Sequence, residues 1–165
     1  MGILPDVLRP DLKLVFCGMA ASKKSAEVGA YYAGPGNRFW PILFETGLTS
    51  KRLPAHKFRE LLQYGYGLTD IAKHQAGNDA ELDQSAISPD ELRAKIEQFA
   101  PRVLAFVGKR AAQEFFGQKA IDYGRQSATI GRTVIFVLPS TSGAARRFWA
   151  ASHWHTLAGF VKRIP

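Results

Sequence analysis

Three short apolar runs along the chain predict buried β-strands. They cover residues 13–18, 102–108 and 133–139. Runs of this length, rich in β-branched and aromatic residues, are typical of strands that are covered on both faces of a sheet. Gly18 is the last residue of the first run, so we expect the first strand to end there.

Apolar residues at helical spacing predict helices between and after these strands. The predicted helices cover residues 37–47, 57–64, 88–100 and 109–117, and a last amphipathic helix runs through Trp149, Trp154 and Phe160. Asn37 and Ser88 are candidate helix caps, and Pro89 suits a first helical turn. Residues 67–72 indicate a short apolar connector, and residues 73–88 are polar and irregular.

Strands that alternate with helices predict an α/β fold, a three-layer α/β/α sandwich around a mainly parallel sheet. We expect residues 1–165 to form a single domain. Ligands of such sheets bind at the carboxyl ends of the strands. Two loops rich in small residues, 18–36 and 139–147, follow the first and last predicted strands. The sequence therefore predicts the functional site between these loops.

The basic character of the chain favours a polyanionic partner. The formal net charge is +8 at pH 7, and basic doublets are scattered along the chain. Nucleic acid is the first candidate partner, because no basic amphipathic helix suggests binding to an anionic membrane. No apolar run is long enough to span a bilayer, and the N-terminus lacks a signal-peptide pattern, so we expect a cytoplasmic protein.

The cysteine and histidine residues indicate no metal chemistry. The lone cysteine, Cys17, excludes an internal disulfide and a cysteine zinc site, and its apolar neighbours indicate a buried core residue. The four histidines lack the spacing of metal ligands. We therefore expect neither a metal nor a cofactor.

The two small-residue loops suit a flat, neutral ligand and a phosphate. The segment 18–22 carries small side chains, which leave backbone N–H groups accessible. Tyr31 and Tyr32 have two interpretations: they stack on a base, or they anchor the loop by packing. The segment 140–144, which precedes Arg146 and Arg147, also has two interpretations: it binds a phosphate, or it is an ordinary helix cap. Residue types alone leave both questions open.

Four sequence blocks resemble, in order, those of the mismatch-specific uracil-DNA glycosylase family, which is related to the thymine-DNA glycosylases. The blocks are FCGMAAS, YYAGPGNRFWPIL, GLTDI and VLPSTSGAARR, and they span nearly the whole chain. GPGNRFW, with FCG ahead of it, is the most specific part. The resemblance implies the three-layer glycosylase fold and removal of uracil from DNA, after the base flips into a pocket between the first and last of these loops.

The resemblance also implies roles for individual residues. The backbone N–H of Met19 holds the uracil, Tyr32 stacks on it, and Arg38 helps to form the pocket wall. The predicted substrate pocket comprises Gly18, Met19, Ala20, Tyr32 and Asn37. The predicted DNA contacts are Lys23, Ser142, Gly143, Ala144, Arg146 and Arg147. The resemblance places the segment 142–146 in the loop that enters the duplex.

The sequence departs from the family in two motifs. The first family motif reads roughly Gly-Ile-Asn-Pro-Gly, and its Asn positions the attacking water. Ala20 stands there in this chain and has no side-chain group that orients water. In the last motif, Ser140-Thr141 replaces Asn-Pro, and Ala144 stands at the wedge position, which is often Leu. A small wedge predicts a preference for mismatched uracil, unless a neighbouring arginine fills the gap.

Asp70 in GLTDI is the predicted catalytic carboxylate. It is a lone carboxylate among apolar residues, where burial raises a pKa, and the resemblance places GLTDI at the pocket. In this interpretation it orients water or faces the cationic sugar. The alternative is a helix cap or an ion pair with a nearby arginine. Ser22, Ser25 and Ser140 are further candidates to hold the water.

Three function classes stay open from the sequence. The first is a monofunctional uracil-DNA glycosylase of base excision repair, which also acts on other deaminated or mismatched bases. The second, motivated by Ala20, is an inactive binder of damaged or abasic DNA. The third is an unrelated basic α/β enzyme that acts on a nucleotide or another small anion. Tyr32 and the GPGNRFW block favour the first, with uracil-containing double-stranded DNA as partner, no membrane contact and a monomeric protein.

Overall fold

The predicted strands lie side by side at the centre of one sheet. In the computed structural model, which describes residues 2–165, the sheet has five strands in the order β2-β1-β3-β5-β4. They are β1 (Leu14–Gly18), β2 (Tyr66–Asp70), β3 (Val103–Val107), β4 (Gly124–Ile130) and β5 (Thr133–Leu138). β1, β2, β3 and β5 are parallel, and β4 runs antiparallel to β5 at one edge. The parallel strands therefore share one carboxyl edge.

Helices cover both faces of the sheet, because successive side chains of a strand point to opposite faces. The helices are α1 (Lys23–Val28), α2 (Phe39–Glu45), α3 (Pro89–Phe99), α4 (Lys109–Phe116) and α5 (Ala151–Lys162), with longer 3-10 helices at Ala55–Tyr64 and Gly143–Phe148. Leu14 and Phe16 of β1 belong to a core cluster with α2 and α5, whereas Val15 and Cys17 belong to a second cluster with α3 and α4. This arrangement confirms the predicted three-layer sandwich. Across residues 2–165, no helix is long and apolar enough to cross a membrane.

The interpretation of residues 67–72 as a connector is wrong, because most of them belong to β2. All of β2 is buried, and it pairs with β1 so that Asp70 lies beside Gly18. Few of its residues carry large apolar side chains, so its pattern does not indicate a strand. On its other side, the backbones of Val7 and Leu68 exchange two hydrogen bonds of 2.9 Å, which complete its pairing.

Other elements also differ from the sequence pattern. The pattern does not predict β4, because this edge strand is largely polar and exposed. Nor does it predict α1, which lies inside the expected loop 18–36 and is capped by Ser22. The predicted helix at 57–64 is a 3-10 helix. Ser88 precedes α3 as predicted, but its side chain makes no capping hydrogen bond.

Candidate functional site

A cavity of about 650 Å³ opens at the carboxyl edge of the sheet. Gly18, Asp70 and Val107, the last residues of β1, β2 and β3, line it. The predicted site residues that line this cavity are Gly18, Met19, Ala20, Ser22, Tyr32, Asn37, Asp70, Ser140, Ser142 and Ala144. Those outside the lining are Lys23, Gly143, Arg146 and Arg147. The fold therefore brings most of the predicted residues together.

Asp70 is a buried carboxylate in this cavity. The residue is 5% exposed, and burial raises its pKa to about 6. The positive charge of Lys73 and a backbone hydrogen bond from Gly18 lower this pKa, while the negative charge of Asp6 raises it further. Asp70 ends a strand and forms no ion pair with any residue that the structure describes. It is therefore neither a helix cap nor the partner of an arginine.

Gly18 allows two polar groups to approach the end of β1. A Cβ atom at this position would lie 2.8 Å from Asp70 Oδ1 and 2.9 Å from the hydroxyl oxygen of Tyr32. Both distances are shorter than packed atoms tolerate, so a larger residue does not fit without movement. The absence of a side chain at Gly18 thus brings a carboxylate and a phenol to one side of the β1 backbone.

The adjacent residues Tyr31 and Tyr32 have different environments. Tyr31 is buried, donates its hydroxyl to the carbonyl of Pro5 at 2.9 Å and accepts from Lys73 Nζ at 3.0 Å. Both tyrosines line the cavity, but Tyr32 is only partly buried, and its ring stacks on Phe39 with 4.0 Å between centroids and 17° between planes. Tyr31 is therefore the loop anchor, whereas Tyr32 is placed to contact a ligand.

The hydroxyl of Tyr32 is buried without a hydrogen-bond partner among residues 2–165. Burial raises the pKa of this phenol, and the charge of Asp70 adds to the rise, so the hydroxyl stays protonated at neutral pH. The backbone of Tyr32 has φ 52°, in the left-handed region that costs a residue with a Cβ about 1–2 kcal/mol. Strain and an unpaired donor at one residue are typical of functional sites.

Lys73 fixes a positive charge near the end of β2. It is buried, and its Nζ lies 3.1 Å from a carboxylate oxygen of Asp6. Asp6 also pairs with Lys95 at 2.8 Å and accepts the hydroxyl of Thr69 at 2.7 Å. Burial alone would raise the pKa of Asp6, but these hydrogen bonds and charges lower it. The network therefore ties the N-terminal segment to the strand that carries Asp70.

The candidate serines accept hydrogen bonds from the main chain. The pairs are Ser22 Oγ with the Ser25 N–H at 3.1 Å, Ser25 Oγ with the Ala33 N–H at 3.0 Å, and Ser140 Oγ with the Ser142 N–H at 3.2 Å. Ala20 also lines the cavity, but with only a methyl group. The serine hydroxyls therefore help to fix the conformation of the two loops.

The GPGNRFW block joins the first loop to the last. The backbone N–H of Arg38 donates to the carbonyl of Thr141 at 2.9 Å, and the Arg38 guanidinium lies 5.3 Å from the ring centroid of Trp149. Asn37 lines the cavity, and its Oδ1 accepts the N–H of Phe39 at 2.9 Å where α2 begins. This block thus fixes one wall of the cavity.

The 3-10 helix Gly143–Phe148 forms part of the opposite rim. Ser142 caps this helix, because its Oγ accepts the N–H of Ala144 at 3.2 Å. Ser142 and Ala144 line the cavity, as does Phe148 at the far end of the helix. The predicted alternative of an ordinary helix cap therefore describes Ser142.

The predicted DNA contacts outside the lining lie on the surface around it. Arg146 and Arg147 are exposed on the 3-10 helix of the rim. Lys23 is exposed on α1, where it pairs with Glu81 at 2.8 Å. Gly143 follows the cap residue directly, and no close atom restricts it to glycine.

Several cavity residues are not indicated by the sequence pattern. They include Asn78, Asp79, Lys109, Arg110, Tyr123 and Phe148. Lys109 and Arg110 come one residue after β3, at the start of α4, so the rule that ligands bind at strand ends could have identified them. Asn78 and Asp79 lie in the irregular segment 73–88, which carries no such signal. Within the described part of the chain, no cluster of His, Cys, Asp or Glu side chains could hold a metal ion.

Comparisons with known proteins identify the family and the fold. The family model described as the uracil DNA glycosylase superfamily matches residues 5–158. The solution NMR structure of a candidate uracil DNA glycosylase from Methanosarcina acetivorans has a TM-score of 0.66 to this chain, with 22% sequence identity over 97% of each chain. At this identity, the structural likeness concerns the fold.

Proposed function

The chain belongs to the uracil DNA glycosylase superfamily, and from this membership we propose that it hydrolyses the N-glycosidic bond of uracil in double-stranded DNA. The target nucleotide flips out of the duplex and places its base in the cavity. Other deaminated or mismatched bases are further candidate substrates. The protein acts as a cytoplasmic monomer without a cofactor. Membership of this superfamily excludes the third class considered above, an unrelated basic enzyme.

The observation that carries the proposal is the buried carboxylate of Asp70 in the cavity. A carboxylate with a pKa of about 6 is a stronger base than an ordinary aspartate, yet it is still ionised at neutral pH. Its position beside Gly18 and Tyr32 supplies a polar function at the place where Ala20 offers none. Asp70 therefore takes over the role that the Asn of the first family motif has in relatives.

The reaction breaks the bond between C1′ of the sugar and N1 of uracil, and it joins C1′ to the oxygen of water. As the C–N bond breaks, the sugar becomes cationic and uracil leaves as an anion. Ionised Asp70 stabilises the cation and accepts a proton from the attacking water. That proton finally neutralises the departing base, so the carboxylate is regenerated.

The first loop binds the base in this proposal. The backbone N–H of Met19 donates to the uracil oxygen that gains charge as the base leaves, which stabilises the transition state more than the ground state. The ring of Tyr32 supports the base and is itself backed by Phe39. The Oδ1 of Asn37 accepts the N–H of Phe39 at the start of α2, and the side-chain NH2 group of Asn37 donates to the other edge of the base.

A second candidate function is the binding of damaged or abasic DNA without cleavage. Ala20 favours this alternative, because it brings a methyl group to the cavity and cannot orient water. In this case Asp70 would contribute nothing to hydrolysis.

The deciding experiment is single-turnover cleavage of labelled duplexes that contain U opposite G, U opposite A, T opposite G, or hypoxanthine, followed by alkaline strand scission. Release of uracil from the first two substrates supports the glycosylase. Asp70→Asn is compared with Asp90→Asn, which changes an exposed carboxylate on α3. No cleavage of any substrate, together with tight binding to an abasic site, supports the second function instead.

A further inference from the structure

A large aromatic side chain is exposed at the mouth of the cavity. Phe148 is 58% exposed and is the last residue of the 3-10 helix on the rim. The exposed large apolar side chains among residues 2–165 are Ile3, Val28, Phe44 and Phe148. Of these, Phe148 is the most exposed, and it alone lines the cavity. Exposing a phenyl ring to water is unfavourable, so a bound partner that buries it would gain free energy.

The surroundings of Phe148 match the chemistry of a DNA duplex. Arg146 and Arg147 are exposed on the same short helix, and the Arg147 guanidinium lies 5.0 Å from the centroid of the Phe148 ring. A phenyl ring stacks on bases, while neighbouring arginines neutralise phosphates. Ala144, earlier on this helix, is too short to fill the space of a missing base.

The residue next to Phe148 is anchored to the core. The N–H of Trp149 donates to the carbonyl of Arg146 at 3.1 Å, and the Trp149 ring contacts Trp154 at 6.2 Å between centroids. Trp154 is buried and donates its Nε1–H to the carbonyl of Pro139 at 3.1 Å. A side chain that enters a stack of DNA bases binds better from a rigid backbone, because less conformational ordering is required on binding.

We propose that Phe148 is the wedge that enters the base stack when a nucleotide flips into the cavity. This inference rests on the proposed function, since it takes duplex DNA as the partner. The ring replaces the stacking lost from the flipped base and delays its return. Phe148 thereby supplies the function that Ala144 is too small to provide.

The first test measures base unstacking without cleavage. The substrate is a duplex with 2-aminopurine beside a 2′-fluoro-deoxyuridine, a nucleotide that resists hydrolysis. Wild-type protein should raise the 2-aminopurine fluorescence, and Phe148→Ala should abolish most of this rise at saturating protein concentration. Phe148→Leu should restore much of it, because leucine also intercalates. Phe44→Ala removes an aromatic ring of similar exposure away from the cavity and should behave as the wild type.

The second test compares uracil release from duplex and single-stranded DNA. Phe148→Ala should reduce the single-turnover rate on a U·G duplex by at least about tenfold more than on the single strand, because only the duplex requires opening. Equal losses on both substrates, or unchanged fluorescence in Phe148→Ala, would overturn the wedge. The wedge would also be overturned if Phe148→Ala changed the self-association of the protein but left base unstacking and uracil release unchanged. If wild-type protein releases no uracil but still unstacks the duplex through Phe148, the proposed activity fails and the wedge stands.

Discussion

The carboxylate of Asp70 and the hydroxyl of Tyr32 converge on the same point beside the end of β1. A Cβ atom at Gly18 would occupy that point, 2.8 Å from one oxygen and 2.9 Å from the other. One residue from each of three segments therefore shapes the polar end of the cavity. This relationship depends on the missing side chain of Gly18 and explains why a small change there should affect the whole site.

We expect Gly18→Ala to lower both activity and stability. The added methyl group must displace Asp70 or Tyr32, and overpacking of this kind costs about 1–3 kcal/mol. Single-turnover uracil release and denaturant unfolding measure the two effects. Gly159→Ala on α5, away from the cavity, is the matched control, because a Cβ atom there meets no atom within 4 Å. Equal behaviour of the two variants would contradict the close approach at Gly18.

We expect Asp70→Asn to reduce the single-turnover rate by about a hundredfold or more, since it removes the acid-base group. In the wild type, the rate should rise with pH as Asp70 ionises and level off above its pKa of about 6. The variant should lack this rise. Rates measured between pH 4.5 and 8 test the prediction, and a wild-type profile without a step near pH 6 would remove Asp70 from the mechanism.

Asp70→Asn should also make the protein more stable at high pH. The folded pKa of about 6 lies above the ordinary value of 3.8, so the folded state binds more protons between these values. Stability therefore falls as pH rises from about 4 to about 6, by up to about 3 kcal/mol for two pKa units. Urea unfolding at pH 4 and pH 8 should show a gain for the variant only at the higher pH.

Lys73→Met should move the pH profile of the reaction upward. The charge of Lys73 lowers the pKa of Asp70, so its loss should raise the midpoint of the rate profile. The variant should also be less stable, by about 1–3 kcal/mol, because buried hydrogen bonds are lost. Lys57→Met, on the exposed side of a 3-10 helix, is the control. A lower stability with an unmoved midpoint would limit Lys73 to a structural role.

Arg146→Ala should weaken duplex binding and reduce its dependence on salt. If Arg146 neutralises one phosphate, the slope of log K against log salt should fall by about one. Binding measured by fluorescence anisotropy at several salt concentrations gives this slope. Arg102→Ala removes an exposed arginine that precedes β3, at the opposite edge of the sheet, and should leave the slope unchanged. An unchanged slope for Arg146→Ala would exclude the phosphate contact.

The sequence predicts the central strands well because each is a continuous apolar run covered by helices. It does not predict β2, whose burial comes from β1 on one side and Val7 on the other. Nor does it predict β4. This strand lies at the edge of the sheet and is largely exposed, so its residues need not be apolar. Strands whose burial depends on distant neighbours carry little of that information in their own residues.

The candidate site is likewise only partly predictable from the sequence. Asp70 stands out as a lone carboxylate in an apolar segment, and Tyr32 lies in a motif with a known resemblance. Phe148 does not stand out, because an aromatic residue near a helix usually indicates core packing, and only the fold shows that this one faces solvent. Asp79 likewise reaches the cavity through the path of an irregular segment.

The hydrogen bond between Arg38 and Thr141 has a consequence for how the protein matures. It connects a loop from the first third of the chain to a loop near its end, so both walls of the cavity exist only after the C-terminal region has folded. Contacts between such distant segments form late, because closing a long loop costs entropy before the contact repays it. A chain emerging from the ribosome therefore has no complete pocket until the loop that contains Thr141 has folded against the loop that contains Arg38.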